Sequence, residues 1–430
     1  MATFETLLHG AMDLMEMRQL GNVKTRRVQV IPESGSTYTI SGTEQREVFF
    51  SLPSGSKYTM INGMNSYMCF DIELGATGGT TPQIGICNGD ANAVFNSLEV
   101  TNGGQTVEQI EKYNVLSAVF SDFVSLEKSK NLNSILSSGC SAVKLGNTGL
   151  GGTFYRVAVP IYSAFYGSLA SNYSPATDGI RMRFTLEGAN TALFSPTAGV
   201  TALSYIVSNM NLMMEYVDVE PAVWEQLANS SGREFKTHGI GVANYSSTVA
   251  SSLTSSNILV PCRKSAVKHI WTVPRVSANL NAITENTTGD RVLPKLRQLY
   301  YTVSGKQYPQ IPIRTSNSAG SAYSGGESMA ELLKTFRNLH SPLADCVFDG
   351  ANYIDIVGTA GTGSFVAGFD WETDADPKTI SGIDTNSSNI YLQLDAVSAG
   401  FPANLTIDNF VFYDAILTTS VDDGRVSIIQ

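Results

Sequence analysis

The pattern that most constrains this chain is a unit of strand, tight turn, strand and helix that occurs twice. Apolar and polar residues alternate over residues 93–100, as in a half-buried strand, and residues 105–110 predict the returning strand. Between them, Asn102-Gly103 supplies residues that tolerate the positive φ of a two-residue hairpin turn. The apolar residues that follow recur at the spacing of one helix face: Leu116, Val119, Phe120, Phe123 and Val124.

The same unit recurs about 200 residues further along the chain. Residues 296–303 alternate, Ser304-Gly305 supplies the turn, and a second amphipathic helix is predicted after a longer loop by Met329, Leu332, Leu333 and Phe336. Three more strand patterns are repeated in the same order: residues 68–74 in 267–273, residues 180–186 in 390–396, and residues 206–214 in 407–415. Correspondences that keep their order over such a length indicate one domain built twice.

The predicted fold class is all-β, with two tandem eight-stranded antiparallel jelly-roll sandwiches and short flanking helices. The first sandwich is placed at residues 28–220 and the second at residues 234–430. Pro221 predicts the first turn of a short helix, where its missing N–H costs nothing, and Asn229-Ser-Ser-Gly232 ends that helix. Residues 221–233 are therefore the predicted linker between the sandwiches.

Residues 1–27 are predicted to form an arm outside the main fold, with an amphipathic helix followed by basic residues. Two interpretations are open. The apolar stripe docks onto a membrane face or a neighbouring subunit with help from the basic tail, or the helix lies on the core of its own domain. The residues assigned to the membrane or inner-shell contact are Phe4, Leu7, Leu8, Ala11, Arg18, Lys24, Arg26 and Arg27.

Composition excludes several classes of function. Charged residues make up only 15% of the chain, which suits an all-β protein with broad uncharged surfaces. The formal net charge of −10 argues against an electrostatic grip on nucleic acid, so no direct sequence-specific nucleic-acid binding is predicted. The five cysteines form no CxxC pair and favour synthesis in a reducing compartment. The N-terminus lacks the profile of a secretory signal, and no apolar run approaches the roughly 20 residues of a bilayer span.

No catalytic, cofactor-binding or metal-binding residue is assigned from the sequence. Ser304-Gly-Lys306 lies in a predicted hairpin turn, and the Gly-rich residues 146–152 precede a strand, so neither is in the context of a phosphate-binding loop. The four histidines are far apart in the sequence. His269 lies on the apolar face of its strand, where a hydrogen-bonded core or interface histidine is favoured over a catalytic base.

The densest acidic cluster places a carboxylate on every second residue, at Asp370, Glu372, Asp374 and Asp376. On a strand, these side chains would share one face and could bind a cation such as calcium. Pro377 and the polar residues around it favour a solvated loop instead.

Three stretches carry a resemblance to a known family: Leu98-Glu-Val-Thr-Asn-Gly-Gly-Gln-Thr-Val107, Phe154-Tyr-Arg-Val-Ala-Val-Pro160 leading into Ala164-Phe-Tyr-Gly-Ser-Leu169, and Ser208-Asn-Met-Asn-Leu-Met-Met-Glu-Tyr-Val217. With the duplicated strand pattern, the chain resembles the double jelly-roll major capsid proteins of icosahedral DNA viruses, including membrane-containing bacteriophages and virophages. The architectural resemblance covers nearly the whole chain.

The resemblance implies a structural protein of the virion without enzymatic activity or cofactor. It implies a homotrimer in which six sandwiches imitate a hexagon and tile an icosahedral shell. The implied partners are neighbouring capsomers, penton and minor capsid proteins, and an internal membrane facing the arm. The alternative from another class is a carbohydrate-binding or carbohydrate-active β-sandwich protein, in which two carboxylates would face one cleft or aromatic residues would be exposed at one loop end.

Overall fold

The computed structural model describes residues 23–79, 82–87, 90–123, 143–145, 147–148, 154–317, 323–337, 353–354, 363–372, 380–397, 399–421 and 424–429. The first half contains eight main strands and one helix: β1 (Lys24–Val30), β2 (Arg46–Ser51), β3 (Thr59–Gly78), β4 (Phe95–Asn102), β5 (Gln105–Glu111), α1 (Tyr113–Asp122), β6 (Tyr155–Pro160), β7 (Arg181–Leu186) and β8 (Val200–Asp218).

Helix α2 (Pro221–Ser230) leads into the second half. That half contains β9 (Glu234–Val249), β10 (Ser255–Val260), β11 (Val267–Val276), β12 (Leu296–Val303), β13 (Lys306–Arg314), α3 (Gly326–Arg337), β14 (Ala367–Asp370), β15 (Ile390–Ala396) and β16 (Leu405–Ser420). Shorter strands lie at Thr37–Ser41, Gln83–Ile86, Val143–Leu145, Asn147–Thr148, Ser174–Pro175, Leu193–Phe194 and Val426–Ile429, and single helical turns lie at Ala91–Val94, Ala189–Ala192 and Ser277–Asn279.

The main strands form four sheets whose order is the same in both halves. The first sheet has the order β1-β8-β3-β6 and the second sheet β2-β7-β4-β5; the third sheet has the order β9-β16-β11-β14 and the fourth sheet β10-β15-β12-β13. Adding eight to each strand number of the first half reproduces the second half, and neighbouring main strands are antiparallel. The predicted fold class of two tandem antiparallel jelly rolls is confirmed.

The two predicted hairpins are present, with one correction. The sequence predicts the first turn at Asn102-Gly103, but Gly103 (φ 58°) and Gly104 (φ 82°) form it, because two adjacent glycines adopt positive φ without strain. Asn102 instead ends β4, where its buried side chain donates a 2.8 Å hydrogen bond to the Tyr166 hydroxyl. The second turn lies at Ser304-Gly305, as predicted.

Aromatic side chains fill the interior of each sandwich. In the first half, the ring centroids of Phe70 and Phe95 are 5.6 Å apart and those of Phe95 and Phe184 are 5.3 Å apart. In the second half, Trp371 lies 5.6 Å from Tyr301 and 5.3 Å from Phe369. Such pairs contribute about 0.5–1.5 kcal/mol each beyond the area that they bury.

The repeat predicts the wrong face for β11. Aligning residues 267–273 with 68–74 turns Trp271 into the sandwich, yet Ile270 pairs with Phe369 on the adjacent strand and the Thr272 hydroxyl lies 2.9 Å from the Tyr301 hydroxyl of the fourth sheet. Ile270 and Thr272 therefore face the interior, and Trp271 faces away from the fourth sheet. A bulge between Val267 and His269 shifts the register by one residue, which exchanges the two faces of the strand.

The predicted arm boundary at residue 27 is also wrong, because it falls inside β1. In the antiparallel register of β1 and β8, Lys24 is opposite Asp218 and Arg27 is opposite Glu215. Lys24 and Arg27 therefore belong to the first sheet. Arg26 forms a 3.1 Å ion pair with Asp218 and lies 5.2 Å from the centre of the Tyr216 ring. The remaining arm residues of that assignment, Phe4, Leu7, Leu8, Ala11 and Arg18, lie outside the described residues.

Helix α2 begins with proline, as predicted, and packs against both halves. The Trp224 ring lies 6.3 Å from that of Tyr58 in the first half and 4.7 Å from that of Phe235 in β9. The connection between the halves is therefore itself packed.

Because one apolar core runs through both halves, we expect them to unfold together. Phe184→Ala in the first half and Leu394→Ala in the second should each lower the free energy of unfolding by about 2–5 kcal/mol. Calorimetry should show one transition in the parent and in both variants. Two separated transitions, with each variant shifting only its own, would contradict this expectation.

Candidate functional site

The first half (β1–β8) and the second half (β9–β16) meet in a contact surface, here called the seam, which is the candidate site. Part of it is made by backbone atoms. The N–H of Ser171 donates to the carbonyl of His238 at 2.9 Å, and the N–H of Ile240 donates to the carbonyl of Leu169 at 3.1 Å. These bonds fix the position of β9, an edge strand of the third sheet, along the segment that follows β6.

Gly239 lies between these two bonds, where the halves approach most closely. A Cβ atom at this position would lie 1.8 Å from the Ala164 carbonyl oxygen, which belongs to the backbone of the other half. Glycine is therefore required here by close approach of two backbones, although its φ is ordinary.

An aromatic cluster closes the middle of the seam. The ring centroids of Phe120 in helix α1 and of Phe123 directly after it lie 5.3 and 5.1 Å from that of Trp271 in β11. Phe412 in β16 lies 4.5 Å from Trp271. The α1 apolar stripe that the sequence predicts thus covers the outer face of the third sheet, the face turned away from the fourth sheet.

His269 belongs to the same cluster. Its ring stacks on Phe412 with a centroid distance of 4.3 Å and is fully buried. Burial, with a smaller effect of Lys268, lowers the pKa of His269 to about 3, so the imidazole is neutral at physiological pH. These contacts support the interpretation of His269 as an interface histidine. The expected hydrogen bond is absent, because neither ring nitrogen has a hydrogen-bond partner among the described residues.

A polar strip continues the seam at one side. The Thr287 hydroxyl donates to the carbonyl of Thr191 at 2.5 Å, and the N–H of Ser195 donates to the carbonyl of Ile283 at 2.7 Å. The Cys87 thiol lies 3.9 Å from the Thr287 hydroxyl, and burial raises the pKa of this thiol to about 11. The cysteine is therefore an uncharged packing residue here.

An ion pair crosses the seam. Arg291, only 1% exposed, pairs with Asp122 at the end of α1. Burial lowers the pKa of Arg291 to about 9, so the guanidinium stays charged at neutral pH. Removing one member of a buried pair typically costs 3–5 kcal/mol, because the other charge is left uncompensated.

Glu108 in β5 is a buried carboxyl group beside the seam. It accepts hydrogen bonds from the Ser163 hydroxyl at 2.6 Å and from the Ala164 N–H at 2.8 Å. Burial raises the pKa of Glu108 to about 7, against a partial offset from these two bonds. Burial, and after it the Glu108 charge, raises the pKa of Tyr413 in the second half, so the carboxyl group is within electrostatic range of the other side.

The acidic cluster predicted near residue 370 is only partly described. Asp370 ends β14, whereas Asp374 and Asp376 lie outside the described residues. The Glu372 carboxylate forms a 2.5 Å ion pair with Lys268, which also lies 3.0 Å from Asp414. Burial raises the pKa of Glu372 to about 7, while Lys268 opposes that shift. Within the described ranges, no three histidine, cysteine or acidic side chains form a group that could hold a metal ion.

The seam residues were not predicted as a site. The sequence separates Gly239, Trp271, Asp122 and Arg291 widely. The apolar stripe of α1 and the apolar position of His269 were the two indications of a contact surface. The Gly-rich residues 146–152 lie largely outside the described ranges. Among the helices that the structure describes, none has both the length and the apolar character needed to cross a bilayer.

Two jelly rolls of identical strand order, joined by a built seam, define a double jelly-roll protein. The crystal structure of PBCV-1 VP54, which was fitted into a cryo-EM reconstruction of the virophage Sputnik, is similar with a TM-score of 0.59 at 11% identity, over 96% of this chain and 98% of that one. The Faustovirus major capsid protein gives a TM-score of 0.58 at 9% identity, over 93% and 91%.

The cryo-EM structure of the Sputnik virophage gives a TM-score of 0.57 at 10% identity, over 96% of this chain and 89% of that one. No protein-family model matches the sequence, and no curated protein matches it either. The chain therefore has the double jelly-roll fold of these viral capsid proteins over nearly its whole length.

We expect Gly239→Ala to destabilise the protein by about 1–3 kcal/mol, because the added Cβ must push two backbones apart. Urea denaturation measures the loss. Gly326→Ala is the matched control, since a Cβ there meets nothing within 4 Å. Equal stability of the two variants would show that the close approach at Gly239 is not tight.

Glu108 should make the stability depend on pH. The pKa of Glu108 rises from 4.5 in the unfolded chain to about 7 in the fold. The contribution of this group to the free energy of unfolding is therefore fully present below pH 4.5 and is lost as the pH rises through 7. Glu108→Gln should therefore show a smaller fall in melting temperature than the parent between pH 5 and pH 8. Glu44→Gln, at an exposed position, should leave the parent profile unchanged. Identical profiles for Glu108→Gln and the parent would contradict the assignment.

Proposed function

We propose that this protein is a viral major capsid protein, a structural component that assembles into the shell of an icosahedral virion. The observation that supports this most strongly is the coverage of the structural similarity. It extends over both jelly rolls, covering 96% of this chain and 98% of VP54. A shared loop or a single sandwich would support much less.

The proposed assembly unit is a homotrimer. Three chains of two matching jelly rolls provide six similar modules, which can occupy a six-fold lattice position with only three-fold symmetry. The sides of these trimers would contact neighbouring capsomers, and penton and minor capsid proteins are proposed as further partners. The proposed location is the virion, after synthesis in the reducing interior of the host cell.

A structural role rather than an enzymatic one is part of this proposal. Three buried acidic groups are engaged with protein partners: Glu108 with Ser163, Glu372 with Lys268, and Asp408 with Arg275 at 2.6 Å. The carbohydrate-binding alternative receives no support from the similar structures reported above.

The arm is proposed to contact the inner side of the shell, either a membrane or a minor protein. Lys24, Arg26 and Arg27 are exposed in β1, the edge strand of the first sheet, which follows the arm in the sequence. They would place positive charge beside the apolar stripe of residues 4–11.

Light scattering on the purified full chain should give a trimer of about 139 kDa, three times the chain mass of 46.2 kDa, and electron microscopy should show shells under assembly conditions. A stable monomer that forms no shells at any concentration would overturn the proposal.

Deleting residues 1–22 should leave the trimer intact and reduce shell formation or membrane attachment.

A double variant, Leu7→Asp with Leu8→Asp, separates the two interpretations of the arm. If the apolar stripe docks on the inner side of the shell, the melting temperature of the trimer stays unchanged and assembly is lost. If the stripe lies on its own domain, the melting temperature falls instead. Arg18→Gln serves as the control for loss of charge without loss of apolar surface.

A further inference from the structure

Lys268, Glu372 and Asp414 form a compact charged cluster in the second half. The Lys268 Nζ atom lies 2.5 Å from Oε1 of Glu372 and 3.0 Å from Oδ1 of Asp414. The exposed fractions of the three side chains are only 2%, 3% and 2%, respectively. An amine and two carboxyl groups are thus in contact at a place that bulk water does not reach.

A β-bulge places Lys268 in this cluster. Lys268 is the extra residue between Val267 and His269, where the register of β11 against β16 shifts, so it pairs with no residue of β16. Asp414 lies in β16, and Glu372 follows β14. These two strands are the neighbours of β11 on either side. Both neighbours of β11 therefore hold a carboxyl group against the same lysine.

The cluster is incomplete as a set of ion pairs. Two carboxyl groups share one ammonium, and Oε2 of Glu372 and Oδ2 of Asp414 are buried without a hydrogen-bond partner among the described residues. A buried ion pair offsets the cost of its desolvation only when further hydrogen bonds satisfy its remaining lone pairs. The arrangement therefore carries a cost that a reaction between the amine and a carboxyl group removes.

We propose that Lys268 and Asp414 become joined by an isopeptide bond, which forms within the folded chain with the help of Glu372. The bond between Nζ and Cγ forms, and the bond between Cγ and Oδ2 breaks. Two protons of the ammonium leave with this oxygen as water, so an ammonium and a carboxylate become an amide and one water. The reaction consumes no oxidant and no cofactor. This modification goes beyond the proposed function and does not depend on it.

Glu372 carries the protons in this reaction. Burial acts to lower the pKa of Lys268, but the contacts with Glu372 and Asp414 outweigh burial and raise it, so the amine needs a base before it can attack. The nearest base is Glu372, whose Oε1 lies 2.5 Å from the Lys268 Nζ atom. Burial raises the pKa of Glu372 to about 7, against the opposing effect of Lys268. A carboxyl group with this pKa can both accept a proton and return it near neutral pH.

His238 selects Asp414 as the carboxyl group that reacts. Its Nε2 atom lies 3.0 Å from Oδ1 of Asp414. In the tautomer that carries the Nε2 proton, His238 donates to this oxygen, on which negative charge develops when the amine attacks Cγ. Oδ1 then remains as the amide oxygen, and Oδ2, which has no partner among the described residues, is the oxygen that leaves.

The fold supplies the proximity that this reaction needs. Neighbouring strands hold the amine against the carboxyl group, and well-oriented intramolecular reactions reach effective molarities of about 10⁵–10⁸ M. Contact alone is not sufficient. Lys334 and Glu331 are only 2.6 Å apart, but the lysine side chain is 54% exposed, so water solvates its charge. This exposed pair is a control within the same chain.

The bond would connect the two central strands of the third sheet, β11 and β16. Lys268 and Asp414 are 146 residues apart in the sequence. A cross-link over such a long loop restricts the unfolded chain and so favours the folded state. The third sheet, which α1 covers in the seam, would therefore be held together covalently.

Mass spectrometry of the denatured full chain tests the proposal. The parent should be lighter than its sequence mass by one water, about 18 Da, and its tryptic digest should contain a branched peptide that joins Lys268 to Asp414. Lys268→Arg keeps the positive charge but cannot form this amide. It should have its full sequence mass and a melting temperature lower by about 5 °C or more. Lys334→Arg, the control at the exposed pair, should match the parent in mass loss and melting temperature.

Glu372→Gln separates the chemistry from the packing. The amide keeps the size of the side chain but cannot carry protons, so the bond should form at least about 100-fold more slowly during refolding from urea. An equal rate in the parent would contradict the role of Glu372. A folded parent with its full mass and unbranched peptides at residues 268 and 414 would overturn the proposal, even if no variant folds. A branch from Lys268 to Glu372 would overturn it as well. All of these results leave the proposed function untouched.

Discussion

The third sheet is buried on both faces, and the rest of the structure depends on how the second face is covered. One face packs on the fourth sheet, as in any sandwich, through residues such as Ile270 and Thr272. The other face presents Trp271 and Phe412, which α1 of the first half covers with Phe120. Burying each such side chain is worth about 1.5–3 kcal/mol, so the second half reaches its full stability only beside the first.

The first sheet does not share this property, although its strand order is the same. Where the third sheet has Trp271, it has Asp71, paired with Arg156 and hydrogen-bonded to Asn209. Duplication therefore preserved the topology while the outer faces diverged in chemistry. One outer face became an internal surface of the chain, and the other remained compatible with water.

Most of the fold could be predicted because local sequence patterns mark the strands and turns of each jelly roll. Alternation marks the strands, and glycine at Gly103 or Gly305 marks the hairpins, so the duplicated order was visible without coordinates. Alternation of apolar and polar residues shows which face of a strand is buried only when one face is buried and the other is exposed. In β11 both faces are buried, and the bulge after Val267 shifted the register by one residue, so the side of Trp271 was predicted wrongly.

The seam was beyond the reach of such patterns, because its contacts join residues that no local periodicity relates. The ion pair of Asp122 and Arg291 spans the two halves, and Gly239 is explained only by the backbone at Ala164. The basic residues of β1 show a second limit of sequence patterns, because here a local pattern predicted the wrong structure. A run of positive charge predicted an arm, but Arg26 had a partner in Asp218 on the last strand of the same half.

Helix α2 has a consequence for the kinetics of association. By tethering the two jelly rolls with ten packed helical residues, it holds each module near the other at an effective concentration in the millimolar range or above. Formation of the internal contact is then a first-order process that dilution does not affect. Any contact between separate chains is second order, so dilution slows that contact and leaves the internal one unaffected.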